Sequence, residues 1–179
     1  MDKLIVKIDQ QNEKIEQQNE RLTKLYEMLV SQFLKEQEDK PDVYAKAKNL
    51  YKKGMSLTNQ RKNKEAAETF IALREIAVGQ QNYVVAAETS IIAAWRFRDA
   101  GENIRSANLK EEAGDFYMKV YDIDGLEVRV EQAKKWKIQA AEVYQKEGLE
   151  DKATQLYENI EQLNNRSIRK ELQSLLHNR

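Results

Sequence analysis

Apolar positions along the chain recur at steps of three and four. Ile91, Ala94, Trp95 and Phe97 form one such set; Leu109, Ala113, Phe116, Tyr117 and Val120 form the next; Trp136, Ile138, Ala141, Val143 and Tyr144 form a third. This spacing keeps apolar side chains on one face of a 3.6-residue helix and does not fit the alternation of a half-buried strand. Gly79, Gly101, Gly125 and Gly148 fall 22, 24 and 23 residues apart, and glycine just past a helix end supplies the left-handed conformation that closes the last turn. The pattern predicts helices near 42–59, 63–78, 82–100, 103–122, 126–147, 150–163 and 166–177. The fold class expected is all-α.

Positions 1–37 have another texture, polar and rich in glutamine. Asp9-Gln10-Gln11-Asn12-Glu13-Lys14-Ile15 is followed by Glu16-Gln17-Gln18-Asn19-Glu20-Arg21-Leu22, a seven-residue repeat. Such a repeat holds one narrow stripe of a helix against a neighbour. With Ile8, Ile15, Leu22 and Leu29 at the a positions, Leu4, Gln11, Gln18, Leu25 and Gln32 fall at d. The seam Leu4, Ile8, Ile15, Leu22, Leu25, Leu29 is therefore apolar at its C-terminal end and wet in the middle. A helix near 3–37 is expected, with two readings open: a coiled coil with another chain, or a long helix lying on its own domain. Glu36-Gln37-Glu38-Asp39-Lys40-Pro41-Asp42 reads as a linker, its proline suited to the first turn of the next helix. The domain reading is a heptad helix over 1–37, a linker over 38–42 and a helical repeat domain over 43–179.

Steps from Gly79 to Gly125 and from Gly101 to Gly148 are 46 and 47 residues. A period of that size points to stacked helical hairpins. The clearest unit runs from Ala140 to Ile160, with small Ala141, aromatic Tyr144, turn glycine Gly148, then Ala153 and Tyr157. It resembles the tetratricopeptide pattern, in which the small residues let two helices approach while Tyr144 and Tyr157 fill the space beside them. Gly54, Leu57, Ala66 and Phe70 repeat the pattern with Arg61 in place of the turn glycine. A middle unit around Ala94, Phe97 and Gly101 keeps the first helix, but Ser106 and Lys110 occupy the small and aromatic places of its second. The hairpins exceed the unit of about 34 residues typical of that family. Longer hairpins of this texture resemble the soluble attachment proteins of vesicle fusion and other tetratricopeptide-like adaptors, over residues 42–163. No fusion-complex contact residue carries over, because an aromatic membrane-touching loop is missing.

The resemblance implies an antiparallel helical-hairpin solenoid serving as a non-enzymatic scaffold or adaptor. First helices of successive hairpins would line its groove. Alignment on Gly54, Ala94 and Ala141 directs Lys48, Tyr51 and Asn59, then Glu88, Trp95 and Arg98, then Lys135, Gln145 and Lys146 to that surface. The expected ligand is a peptide or helix carrying acidic and apolar side chains. The alternative is a structural subunit whose heptad helix drives homo-oligomerisation or assembly into a larger complex.

Composition narrows the chemistry further. The chain has 6 glycines, 1 proline and no cysteine, which removes disulfides, thiol catalysis and cysteine-ligated metals. Thirty basic against 30 acidic residues leaves a formal charge of zero, without the surplus of a general nucleic-acid or anionic-membrane binder. Clusters at Arg61-Lys62-Asn63-Lys64 and Lys134-Lys135-Trp136-Lys137 have acids one turn away and read as solvated faces. The tryptophans read as core. Asp122-Ile123-Asp124-Gly125 with Glu131 has the later half of a calcium loop, but Val120 stands where calcium needs its first carboxylate; a glycine-closed turn explains the same residues. The single histidine, His177, sits near the C-terminus. No phosphate loop or nucleophile elbow is present, so no enzyme, cofactor or metal is expected. Mean hydropathy is -0.80 and no apolar run suits a signal peptide or a membrane span, so a cytoplasmic protein without membrane insertion is the expectation.

Overall fold

The computed structural model describes the backbone of residues 24–177 and the side chains of 24–165. The chain divides into two compact units, Met1–Tyr44 and Ala45–Arg179. The described residues hold seven helices and no strand: α1 (24–36), α2 (Pro41–Asn59), α3 (Asn63–Gly79), α4 (Tyr83–Asp99), α5 (Asn103–Asp124), α6 (Glu127–Lys146) and α7 (Glu150–His177). Pro41 opens α2, where its fixed φ suits the helix and its missing N–H costs nothing. The break expected at 164–165 is absent, and α7 runs on as one 28-residue helix. Asn164-Asn165 supplies neither the φ of a glycine nor the missing donor of a proline, so nothing local stops it.

One turn recurs four times. The N–H groups of Lys62, Asn82, Glu102 and Leu149 donate to the carbonyls of Leu57, Ala77, Phe97 and Tyr144, at 3.0, 2.9, 2.8 and 2.8 Å. In each, the residue before the donor is left-handed: Arg61 (φ 57°), Gln81 (φ 56°), Gly101 (φ 78°) and Gly148 (φ 75°). This six-to-one bond satisfies a helix-end carbonyl that would otherwise lack a partner. Arg61 does take the place of the turn glycine. Gly79 does not close its turn, however; it is the last residue of α3, and Gln81 holds the left-handed position. Asn82 then caps α4, its Oδ1 accepting from Val85 N–H at 3.1 Å. The α5–α6 turn differs, with Gly125 (φ 70°) donating to Tyr121 O at 2.8 Å.

Each helix from α3 to α7 packs on the next in sequence. Tyr117 of α5 meets Glu88 of α4, and Arg105 of α5 covers the Phe97 ring at 3.8 Å, so the two helices run antiparallel. Small residues make the approach possible: Ala86, Ala87, Ala93, Ala94, Ala107, Ala113, Ala133, Ala140, Ala141 and Ala153 are all buried. At Gly54 an added Cβ would stand 2.6 Å from the buried Phe70 ring, so α2 tolerates no side chain there. One cluster joins Ala87, Ile91, Ala113, Tyr117, Ala133 and Trp136; another joins Ala107, Ala140, Ala141, Tyr144, Ala153 and Leu156. Tyr157 was expected beside Tyr144 in the core and is instead 41% exposed. Leu156 and Ile160 take the buried face of α7.

Candidate functional site

On α4 and α6 several polar and aromatic residues come together. Glu88, half-buried on α4, accepts a hydrogen bond from the Tyr117 hydroxyl. Burial lifts its carboxyl above the ordinary carboxylate value, while the Tyr117 bond, Lys135 and Arg129 pull the other way. The Tyr117 phenol is pushed far above its usual range by burial and by the neighbouring Glu88. Trp95, also half-buried, has its ring centroid 6.4 Å from that of Trp136, with the planes tilted by 56°. The Lys135 ammonium stands 5.0 Å from the Trp136 centroid. Core packing, expected of both tryptophans, fits Trp136, which is buried; Trp95 is only partly covered against the same cluster.

Towards the C-terminal ends of α4 and α6 lies a cationic group. Lys110 of α5 is buried, and burial lowers its ammonium; Arg98 and Lys146 act in the same direction, with Glu142 opposing. Arg98 is exposed and pairs with Asp99 at 2.9 Å; Gln145 and Lys146 are exposed. Glu88, Trp95 and Lys135 are thus gathered at one place, and Arg98 and Lys146 around Lys110 at another. Lys48 and Tyr51, half-buried, and Asn59, exposed, lie on α2. Two residues that shape this face, Tyr117 and Lys110, were not among those expected to form it. Both sit on α5, a second helix of a hairpin, which the alignment of first helices ignores. The one available signal was Lys110 at a position where the repeat pattern wants an aromatic side chain.

The α3 and α5 helices meet differently. Lys64 pairs with Glu102 at 2.7 Å, Arg105 with Glu68 at 2.5 Å and Arg74 with Glu112, offsets of 38, 37 and 38 residues. Lys152 of α7 donates to Asn108 of α5 at 2.9 Å and sits 4.1 Å from the Tyr144 ring centroid, while the Tyr144 hydroxyl stands 2.8 Å from both Asn108 Oδ1 and Glu111 Oε2, which share its one proton. A polar cavity of about 440 Å³ opens between α5 and α7, with Glu111, Asp115, Lys137 and Lys152 in its wall. Of the basic clusters, Lys64 and Lys134 are spent on carboxylates. Lys137 corrects the solvated reading: it is 4% exposed, its stem crosses Gly114 and its ammonium donates to Asp115 at 2.5 Å.

In the calcium-like loop, Asp124 accepts from Leu126 N–H at 2.9 Å and pairs with Arg129 at 3.1 Å, which hold its carboxyl below the usual range. It serves the turn. Among the described residues no group of three or more acidic, histidine or cysteine side chains is placed to hold a metal. No described helix is long and apolar enough to cross a membrane.

The heptad seam is described only at its end. Leu4, Ile8, Ile15 and Leu22 lie outside the described residues. Leu25 is 48% exposed and Leu29 half-buried, whereas α1 buries Tyr26, Val30 and Phe33. These two stripes lie about 90° apart on the helix wheel, because each residue advances about 100°. The described helix therefore buries a face other than the seam.

The fold defines an all-α protein built from consecutive helical hairpins. The chain belongs to a bacterial family described as an uncharacterized protein conserved in bacteria (DUF2225), whose profile matches residues 25–179. No curated protein matches the chain, and no solved structure does.

Proposed function

We propose that this protein is a non-enzymatic scaffold or adaptor, a tetratricopeptide-like hairpin array of the cytoplasm that binds a peptide or helical segment of a partner. The observation that carries the reading is the α4/α6 face, where Glu88, Trp95 and Lys135 from two successive hairpins share one surface. The recurring six-to-one turns and the 47-residue correspondence of Phe97 with Tyr144 and of Gly101 with Gly148 support the array. A half-covered aromatic ring, Trp95, against Trp136 with its neighbouring Lys135 suits a ligand with apolar and acidic side chains, since the ring supplies contact area and the charge orients it. Replacing Trp95, Arg98 and Lys146 together by alanine should abolish crosslinked partner capture in the native cell while circular dichroism stays unchanged. Capture that persists in the triple variant removes this face from the reading.

A second reading is supported by α1. Leu25, 48% exposed, continues the heptad pattern of the preceding residues at a d position, Met28 flanks the seam at 70% exposure, and the pair suits a coiled coil joining two chains. Light scattering on the full chain separates the two readings. An oligomer that Leu25→Asp with Met28→Asp converts to monomer favours assembly; a monomeric wild-type chain eliminates it.

A further inference from the structure

The hairpins α4/α5 and α6/α7 correspond residue by residue at an offset of 47. Gly101 and Gly148 share their left-handed φ, Phe97 and Tyr144 accept the same turn bond, and Ala93, Ala94 and Leu109 match Ala140, Ala141 and Leu156, all buried. Burial differs at several equivalent positions, Lys110 and Tyr157 among them, and also at an isoleucine that both hairpins share. Ile91 is 1% exposed, and its equivalent Ile138 is 39% exposed. Ile91 belongs to a buried cluster with Ala113 and Tyr117 of α5 and with Ala133 and Trp136 of α6, the first helix of the following hairpin. Ile138 instead lines an open groove of about 530 Å³ between α6 and α7, with Glu131, Lys134 and Lys135 on one wall and Ile160 and Asn164 on the other. This groove occupies the place that α6 fills one hairpin earlier.

The charge of the rim also changes between the two places. Lys135 is the equivalent of Glu88. At the inner junction the covered helix brings the carboxylate Glu88, and the covering helix brings Lys135 and Arg129. At the outer groove Lys134 pairs with Glu131 and donates to Asn164 at 2.9 Å, and Lys135 stands exposed on the rim. An α6-type helix from a second copy would set lysine against lysine there. The fitting occupant reverses the charges.

We propose that the α6/α7 groove around Ile138 docks an amphipathic helix of a partner protein, one presenting small and aromatic residues flanked by carboxylates. Its small residue and aromatic ring take the roles of Ala133 and Trp136, and its carboxylates face the exposed Lys135. The inference rests on the hairpin-array reading above and concerns the open end of the array, a groove that shares Lys135 with the α4/α6 face.

The test uses the full chain and two labelled synthetic helices of about 18 residues, both with alanine and tryptophan at the three-residue spacing of Ala133 and Trp136, one flanked by glutamates and its twin by lysines. Fluorescence anisotropy should show the glutamate helix binding about tenfold more tightly than its twin. Ile138→Asp, at an exposed position, should abolish binding with circular dichroism unchanged, and Lys135→Glu should reverse the preference between the twins. Equal binding of the twins, or binding indifferent to both substitutions, overturns the proposal. It is likewise overturned by an oligomer that Ile138→Asp dissociates, which assigns the groove to a second copy, or by a photocrosslink from position 138 to residues 1–23 of the same chain. The Trp95, Arg98 and Lys146 triple variant should keep the glutamate helix. Loss of native partners with the probe retained, or the reverse, therefore distinguishes failure of the α4/α6 face from failure of this groove.

Discussion

Between α4 and α6 the links from one hairpin to the next are the Trp95 and Trp136 rings and a carboxylate, Glu88, held by a buried tyrosine; between α3 and α5 they are the pairs Lys64–Glu102, Glu68–Arg105 and Arg74–Glu112. The first set removes apolar surface and a charge from water, so its members are strongly coupled to folding. The second keeps most of its charges in solvent, where screening and side-chain entropy cancel much of the Coulomb gain. Regular spacing on the α3/α5 side therefore says more about register than about stability.

The largest expected effect that would break this contrast is Trp136→Ala. It should cost about 3–5 kcal/mol, because a buried ring and its contacts to Ala87, Ile91 and Tyr117 are lost and the cavity closes only in part. Urea unfolding measures it, and a loss no greater than that of an α3/α5 pair would erase the distinction.

Glu88 offers a pH test on the same side. Its folded carboxyl is raised above the ordinary value of 4.5, burial being the main cause, so the native state binds the proton more tightly than the unfolded chain. The associated stability is complete below pH 4.5 and is lost as pH rises through the folded value. Glu88→Gln should remove that decline. The melting temperature of the variant relative to wild type should rise between pH 4.5 and neutrality; parallel profiles would show that the carboxyl is not desolvated.

The turns give a smaller change of opposite sign. Gln81 holds the conformation that Gly101 and Gly148 hold without a Cβ. Gln81→Gly should stabilise by about 0.5–1 kcal/mol, the relief of left-handed strain exceeding the added entropy of the unfolded chain. A destabilised variant in thermal unfolding would show that the side chain contributes more than its strain. Smallest is Glu68→Ala, which leaves Arg105 stacked on Phe97 and should cost about 0.2–1 kcal/mol at low salt, falling towards zero as salt is raised. A loss that survives high salt would place the α3/α5 pairs with the buried links.

From Pro41 to Lys146 helix positions were legible to within a residue or two because the three-and-four spacing and the turn residues act locally, whereas the break expected at 164–165 had no turn residue behind it and is absent. Arg61 could be read as a turn residue from the repeat alone. Gly79 misled, because a glycine near a helix end is a signal without a fixed register; the six-to-one bond puts Gln81 in the left-handed place. Glu88, Trp95 and Lys135 emerged from aligning first helices, since equal offsets along stacked hairpins bring equivalent positions to one side. Tyr117 and Lys110 did not, because their ends reach that side from α5. The burial of Lys137 was equally hidden: its stem needs the bare backbone of Gly114, 23 residues earlier in the chain.

From its sequence alone this protein is all-α, its hairpins fall at regular intervals and its chemistry lacks cysteine and an imidazole cluster, for these follow from composition, periodicity and short-range backbone preference. Only the tertiary structure decided which apolar positions are covered. Ile91 and Ile138 occupy the same place in the pattern, but one is buried in a cluster with residues of α5 and α6 and the other lines an open groove. Burial is a property of the neighbour as much as of the residue.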